Sequence, residues 1–241
     1  LYGLEQFPVS MIQEVEVTRG GGSVLFGANA VGGTINIKTK EPIKNYYDAK
    51  YSFNLIDGKA PDNIFGFNAS FVDNTQKNGI SFSGQMRHRN PWDANNDGFS
   101  EIGKNRAGAL GVRTFNKLTA HDKLNLEYHY IKEFRRGGDN ISRPPHEAEI
   151  AEQTDYEIHS GQVKYQHMSE DHKRILSVHS SLQKTGRDAY FGEGKDISGY
   201  SKTDELAFVG SVRYEINMDK LLFMPAKFTF GYTQEYRHLT D

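Results

Sequence analysis

Asp93, Asn95 and Asp97 stand two residues apart in "NPWDANNDGFSEIGKN", and Gly98 follows them. Alternate oxygen-bearing side chains on a loop can converge on a hard cation while a glycine allows the sharp bend. D-x-N-x-D-G is the first half of an EF-hand calcium loop. The Phe99 carbonyl and the Glu101 or Ser100 side chain would add oxygens. Position twelve of such a loop is Lys104, not the bidentate glutamate, so the stretch is either an incomplete Ca2+ site or an Asx-rich turn without an ion. A second cluster, "FRRGGDNISRPPHEAEIAEQ", offers Arg135, Arg136 and Arg143 to an anionic ligand; its plainer reading is a solvated mixed-charge loop with a short helix after Pro145. His88, His129, His159 and His179 show none of the i, i+4 pairing of helical metal sites. No Ser/His/Asp set can be assembled from spacing. The absence of cysteine excludes a thiol nucleophile, a thiolate zinc site and a disulfide scaffold. No residue is assigned a catalytic role, and the chain is read as a non-enzyme.

The other stretch that invites chemistry is "EVTRGGGSVLFGANAVGGTINIKT", Glu16–Thr39. A phosphate-binding loop requires G-x-x-x-x-G-K-[ST]; Gly22 and Gly27 have the spacing, but Ala28 and Asn29 stand where the lysine and hydroxyl should be. A dinucleotide G-x-G-x-x-G begun at Gly20 fails at Leu25. A flexible linker would be Gly/Ser monotony, whereas Val24, Leu25, Phe26, Val31, Ile35 and Ile37 are interleaved here. The residues predict strand, turn, one helical turn capped by Ser23 and ended at Gly27, then a strand over Thr34–Lys38. Gly32 and Gly33 would allow close backbone approach before that strand.

The elements that must position these residues are strands. Gly numbers 24 of 241 residues and aromatics make up 12%, which suits strands and turns. From Tyr47 a period of two takes over. Tyr47, Ala49, Tyr51, Phe53 and Leu55 alternate with Asp48, Lys50, Ser52 and Asn54. Eight further runs follow, near Phe65–Phe71, Ile80–Met86, Ala107–Phe115, Leu124–Tyr130, Ile158–His167, Leu176–Leu182, Leu206–Tyr214 and Phe228–Tyr232. The fourth is the weakest, with small residues on both faces. Connections at 73–79, 116–123, 168–173 and 217–226 are short; those at 90–105, 133–153 and 184–203 are long. Only 57–63 is short where a long one is expected. Short turns on one rim and long loops on the other predict an all-β, antiparallel up-and-down transmembrane barrel. A soluble β-sandwich, as a ligand-binding or adhesion module, is the alternative. The net charge of −2 leaves no broad basic field for nucleic acid.

"IQEVEVTRGGGSVLFGANAVGGTINIKTKEP", Ile12–Pro42, resembles the closing segment of the plug domain of TonB-dependent outer-membrane receptors. Glu16, Val17, Arg19, Gly20, Ser23, Leu25, Phe26, Gly27, Ala30, Gly32, Gly33, Ile35, Asn36, Ile37 and Lys40 fit that family's run into its first barrel strand. "GLEQFP" and the arginine-bearing loop look most like Bacteroidetes-type members.

The resemblance implies a 22-strand barrel around an N-terminal plug, in the outer membrane of a Gram-negative bacterium. On that reading residues 1–42 are the end of the plug, 43–241 are about nine of the strands, and the chain is a fragment. It implies active uptake of a scarce metal chelate, a ferric siderophore, haem or a corrinoid such as cobalamin. Implied partners are the TonB complex through an upstream segment, membrane lipids and lipopolysaccharide, and a surface lipoprotein. Cobalamin receptors resemble the Asp93 loop in using loop aspartates for Ca2+. Glu14, Glu16 and Arg19 become candidates for plug–barrel ion pairs, and Tyr2, Arg135, Arg136 and Arg143 for ligand contact.

Overall fold

The computed structural model describes residues 11–20 and 32–241. Tyr2, the Ser23 cap and the turn ending at Gly27 lie outside the described residues. β1 (Ile12–Thr18) and β2 (Thr34–Thr39) form an antiparallel hairpin. Gly33 closes on it with φ 115°, and a Cβ there would stand 2.5 Å from the Thr18 carbonyl, so only glycine fits.

A nine-stranded antiparallel sheet follows: β3 (Tyr46–Ile56), β4 (Ala60–Val72), β5 (Asn78–Arg89), β6 (Phe99–Lys117), β7 (Asp122–Asp139), β8 (Ile150–Met168), β9 (Arg174–Glu193), β10 (Tyr200–Leu221) and β11 (Met224–Thr240). Each strand pairs with its sequence neighbours, leaving β3 and β11 as the two edges. All nine alternating runs are strands. The β3–β4 connection is a tight turn with Asp57 at φ 50° and Gly58 at φ 66°, the left-handed pair that matches hairpin twist.

Three of the expected long loops are shorter than their sequence ranges, contracting to residues 90–98, 140–149 and 194–199. Roughly ten residues cross the hydrocarbon, yet β8, β9 and β10 span 19, 20 and 22. Beyond the membrane both faces of a strand meet water, so the apolar alternation ends while the backbone ladder continues. Arg135 and Arg136, expected in a loop, are therefore on β7.

Pairing register assigns the faces. Phe67, Gly84, Leu110 and Tyr130 are successive partners across β4–β7, and Ala69, Phe82, Val112, Tyr128, Gly161, Leu182, Phe208 and Tyr236 run from β4 to β11. The apolar sets of all the strands thus share one face. That face is open: Tyr47 is 90% exposed and Leu110 53%. The opposite face is polar and buried in the middle of the sheet, with Ser70 at 1%, Asn68 at 4% and Glu127 at 7%, while its edge strands stay exposed. A soluble sandwich buries its apolar face; this sheet is inside out, as a wall with lipid on one side and a filled lumen on the other must be. The fold is an antiparallel transmembrane barrel wall with a hairpin on its inner face. Among the described residues no helix is long and apolar enough to cross a membrane, a test that does not bear on strands.

Candidate functional site: the hairpin on the inner wall

The hairpin reaches the wall at both its ends. Met11, just before β1, is 2% exposed in a cluster with Ala109, Ile131 and Ile158 of β6, β7 and β8. It is an apolar peg in an otherwise polar face. Beside it Lys40 N–H donates to the Met11 carbonyl at 3.0 Å, holding the two ends of the hairpin together.

The other attachment is a network of charges. Arg113, Glu127 and Gln162 are direct partners on one rung across β6, β7 and β8, all on the inner face. Arg113 Nη1 donates to the Thr39 carbonyl at 2.8 Å and to Thr39 Oγ1 at 2.6 Å. Its Nη2 donates to Glu41 Oε1 at 2.6 Å. Thr39 Oγ1 donates in turn to Glu127 Oε1 at 2.6 Å. Lys123 adds a looser pair to Glu41 at 3.8 Å. Behind this line Glu127 is held by Gln162 Nε2 at 2.5 Å and His129 Nε2 at 2.6 Å, and Gln162 by His179 Nε2 at 3.1 Å. Gly111 makes the space: a Cβ there would lie 2.8 Å from His129 Nδ1 and 2.9 Å from Ser83 Oγ. A buried carboxylate with its guanidinium and several donors is a stable arrangement, but removing one partner strands the other. The network is therefore firm when complete and breakable as a unit: a latch.

Of the latch residues the sequence alone names only His129 and His179, as strand histidines without metal-site spacing; Thr39, Glu41, Arg113, Glu127 and Gln162 are not singled out. Thr39 and Arg113 are 74 positions apart, and Thr39 and Glu127 are 88 apart. The available signal is charge on the inner face of strands that must cover a lumen.

The expected contacts fall elsewhere. Glu14 and Glu16 pair with Lys38 across the hairpin, Glu14 at 3.4 Å, and Asn36 Nδ2 donates to Glu16 at 2.8 Å. The Lys38 and Asn36 hydrogen bonds hold the Glu16 carboxyl below the usual carboxylate range. Cross-strand partners two residues apart share a face, so these acids are satisfied within the hairpin and not by the wall. Arg19 is exposed, with no ion pair among the described residues.

The three arginines are not brought together. Arg135 and Arg136 are consecutive on a strand and so point to opposite faces. Arg135 pairs with Glu133 at 2.7 Å. Arg136 is 1% exposed and donates to the carbonyls of Gly137 and Asp139, a structural brace beside Tyr190 and Tyr200. Arg143 alone stays on the loop, exposed, 3.5 Å from Glu147. Pro145–Glu147 is a short 3-10 turn.

Oxygens of Asp93 and Asp97 in the 90–98 loop and of Glu101 at the start of β6 lie within 4.8 Å of one another. The carboxylates also organise the loop backbone. Asp93 accepts from Asn96 N at 2.6 Å and Gly98 N at 2.8 Å, Asp97 from Phe99 N at 2.8 Å, and Glu101 from Ala94 N at 2.7 Å. Asn95 is turned onto Asp97. Each carboxylate oxygen retains acceptor capacity, so the donor set fits a hard cation. Of the histidines, His129 and His179 face inward in the latch, whereas His88 and His159 share the outward face, His159 with Tyr128 Oη at 2.7 Å.

Residues 1–34 match the family model of the TonB-dependent Receptor Plug Domain. The siderophore receptor PirA from Acinetobacter baumannii superposes with TM-score 0.76 at 15% identity, covering 98% of this chain and 36% of that one. The ferric citrate transporter FecA, unliganded, gives 0.70 at 16% identity, with 98% and 36% covered. A mutant of the ferric enterobactin receptor PfeA from Pseudomonas aeruginosa, in complex with enterobactin, gives 0.71 at 15%, with 95% and 37% covered. No curated protein matches the sequence significantly. The N-terminal residues thus match a TonB-dependent receptor plug, and the sheet has the fold of such receptors' barrels. The chain spans 36% of the length of the first of these structures.

Proposed function

We propose that the chain is the plug-to-barrel portion of a TonB-dependent receptor that takes up a ferric chelate across the outer membrane of a Gram-negative cell. Residues 1–42 are read as the end of the plug and 43–241 as barrel wall. The observation that carries the reading is the latch: the hairpin strand that begins at the end of the plug-matched residues 1–34 is bound through Thr39, and the chain just after it through Glu41, to Arg113 and Glu127 on the inner face of a wall whose outer face is apolar. A hairpin that only filled the lumen would need apolar packing; one that must leave needs contacts that break together. In this mechanism ligand docks at the rim carrying residues 90–98 and 140–149, and energised TonB draws the plug from the wall. No side chain performs covalent chemistry. The structures compared are receptors and a transporter of ferric siderophores and ferric citrate, which favours a siderophore-type chelate over haem or a corrinoid. Ca2+ held by Asp93, Asp97 and Glu101 would rigidify the docking rim.

Uptake tests this. A strain producing the protein from its native gene should accumulate radioactive iron from a panel of ferric siderophores. Loss of the gene, or collapse of the proton gradient, should abolish accumulation of at least one. Gradient-independent accumulation would refute the active-transport reading.

A further inference from the structure

The inner face carries more positive charge than the latch uses. Toward the rim of the short turns, β6–β8 place Arg113, Lys117, Lys123 and Lys164 on this face against a single carboxylate, Glu127. Lys117 and Lys123 are direct cross-strand partners, a juxtaposition of like charges that costs stability unless an anion offsets it. Lys164 lies between Asn125 of β7 and His179 of β9. It is half-buried and forms no ion pair among the described residues. The charges it feels are those of Arg213, Lys123 and Arg113, all positive, and of Glu41. Arg213, on the same face of β10, is paired with Glu215 at 3.2 Å. Glu127 is committed to Thr39, His129 and Gln162. Among the described residues this leaves Glu41 as the acid that the free cations share, 2.6 Å from Arg113 and 3.8 Å from Lys123. Glu41 belongs to the chain just after the hairpin, not to the sheet.

We infer that Arg113, Lys123 and Lys164 form an anion-binding site on the inner wall, filled by Glu41 at rest and by a multiply anionic ferric chelate in transit once the hairpin has left. The inference rests on the uptake reading and deepens it: it names the charge class of the cargo and a place, below the docking rim, where the wall holds it. When Glu41 departs, four cations face the lumen with one carboxylate among them. Carboxylate or catecholate oxygens of a chelate then take the place of the Glu41 oxygens. Arg113, released from Thr39 and Glu41, can meet them with two parallel N–H bonds. Lys123 and Lys164 act as mobile point charges, which hold an anion without fixing its orientation. A transit site must bind firmly enough to admit its cargo and loosely enough to release it. Here the release is built in, because the returning Glu41 competes for the same groups and displaces the anion. A neutral chelate would leave the cations repelling one another, and a cationic one is excluded by them.

The test uses citrate, a trianion, as probe and the full-length receptor in detergent as sample. Glu41→Gln removes the resident negative charge and should bind citrate at least about tenfold more tightly than wild type by calorimetry, as charge-assisted hydrogen bonds to vacated cations require. Adding Lys123→Gln and Lys164→Gln should abolish that gain, while adding Lys123→Arg and Lys164→Arg should keep it. Reading the gain subtracts any citrate held at the docking rim. Equal binding by wild type and Glu41→Gln overturns the inference, including the case where an acid elsewhere in the plug already satisfies the cations. A gain that survives the two lysine-to-glutamine changes overturns it as well. Lys164→Gln leaves every latch hydrogen bond in place and decides the matter in cells even if Glu41→Gln does not assemble. Given the anionic chelate of the uptake panel that wild type imports, it should bind that chelate at the surface as wild type does and import it several-fold more slowly, with Lys164→Arg restoring the rate. Import by Lys164→Gln at the wild-type rate overturns the inference, as does a wild type that imports only a neutral tris-hydroxamate chelate. Gradient-independent accumulation with the citrate gain intact would count against active transport and not against the site.

Discussion

Replacing Arg113 by Met keeps an unbranched stem and removes the guanidinium with its charge. Three hydrogen bonds of 2.6–2.8 Å to Thr39 and Glu41 disappear. The Glu41 side chain is 38% exposed, so its part is screened and small. Glu127 suffers more: its side chain is 5% exposed and loses its counter-charge 3.8 Å away, keeping only Thr39, His129 and Gln162. Removing one partner of a buried pair costs about 3–5 kcal/mol. Because Glu127 keeps other donors, we take the lower end, about 3 kcal/mol, which is on the order of a hundredfold in the detached population. A free two-stranded hairpin is marginal in water, so amide protection in β2 reports docking. Hydrogen exchange should therefore accelerate on the order of a hundredfold at Thr34–Glu41 while β6–β9 stay protected. Unchanged exchange in β2, or an equal rise throughout the sheet, would refute the latch.

Phe67→Lys puts a charge into the apolar face beside Gly84 and should cost roughly 2–4 kcal/mol at mid-membrane, read as lost heat-resistant assembly, whereas Asn54→Lys, exposed on the polar face, should be tolerated. Gly111→Val should displace His129 and raise exchange in β2 much as Arg113→Met does; a silent variant would argue against Gly111 as the clearance for the latch. Calorimetry with calcium should show a dissociation constant of about 0.1–1 mM that Asp97→Ala weakens, and no heat in that range would leave a hydrogen-bonded turn. The nine-stranded sheet alone should not yield a monodisperse monomer in detergent, because the open edges of β3 and β11 each expose backbone groups costing several kcal/mol apiece in lipid; a heat-resistant monomer would contradict the need for closing strands.

Much of this wall is legible in the sequence because lipid imposes a strict period of two: Tyr47 to Leu55 and Phe228 to Tyr232 could only be strands with one greasy side. The hairpin is legible from Val15 and Val17 against Ile35 and Ile37. Strand length is not, since Phe99–Asn105 and Glu133–Asp139 lie where neither face must be apolar, and the β6–β7 register shift between Ser100 and Lys104 breaks the pattern further. Asn68 reads as an open polar position, yet it is 4% exposed and donates to Asp48 at 3.2 Å. The site itself depends on depth and long-range contact. Arg113 sits in the strand with the feeblest alternation, and only the docked hairpin gives it Thr39 and Glu41 as partners.

The account stands on the hairpin having to leave the wall. The chain has no cysteine, so Met11→Cys with Ala109→Cys introduces the only thiols of this segment, at a buried contact outside the charged network. With a short, reductively cleavable thiol crosslinker in place, cells should still bind the ferric chelate but import none, and cleavage of the linker should restore import. Import at the uncrosslinked rate with the link intact would contradict the account.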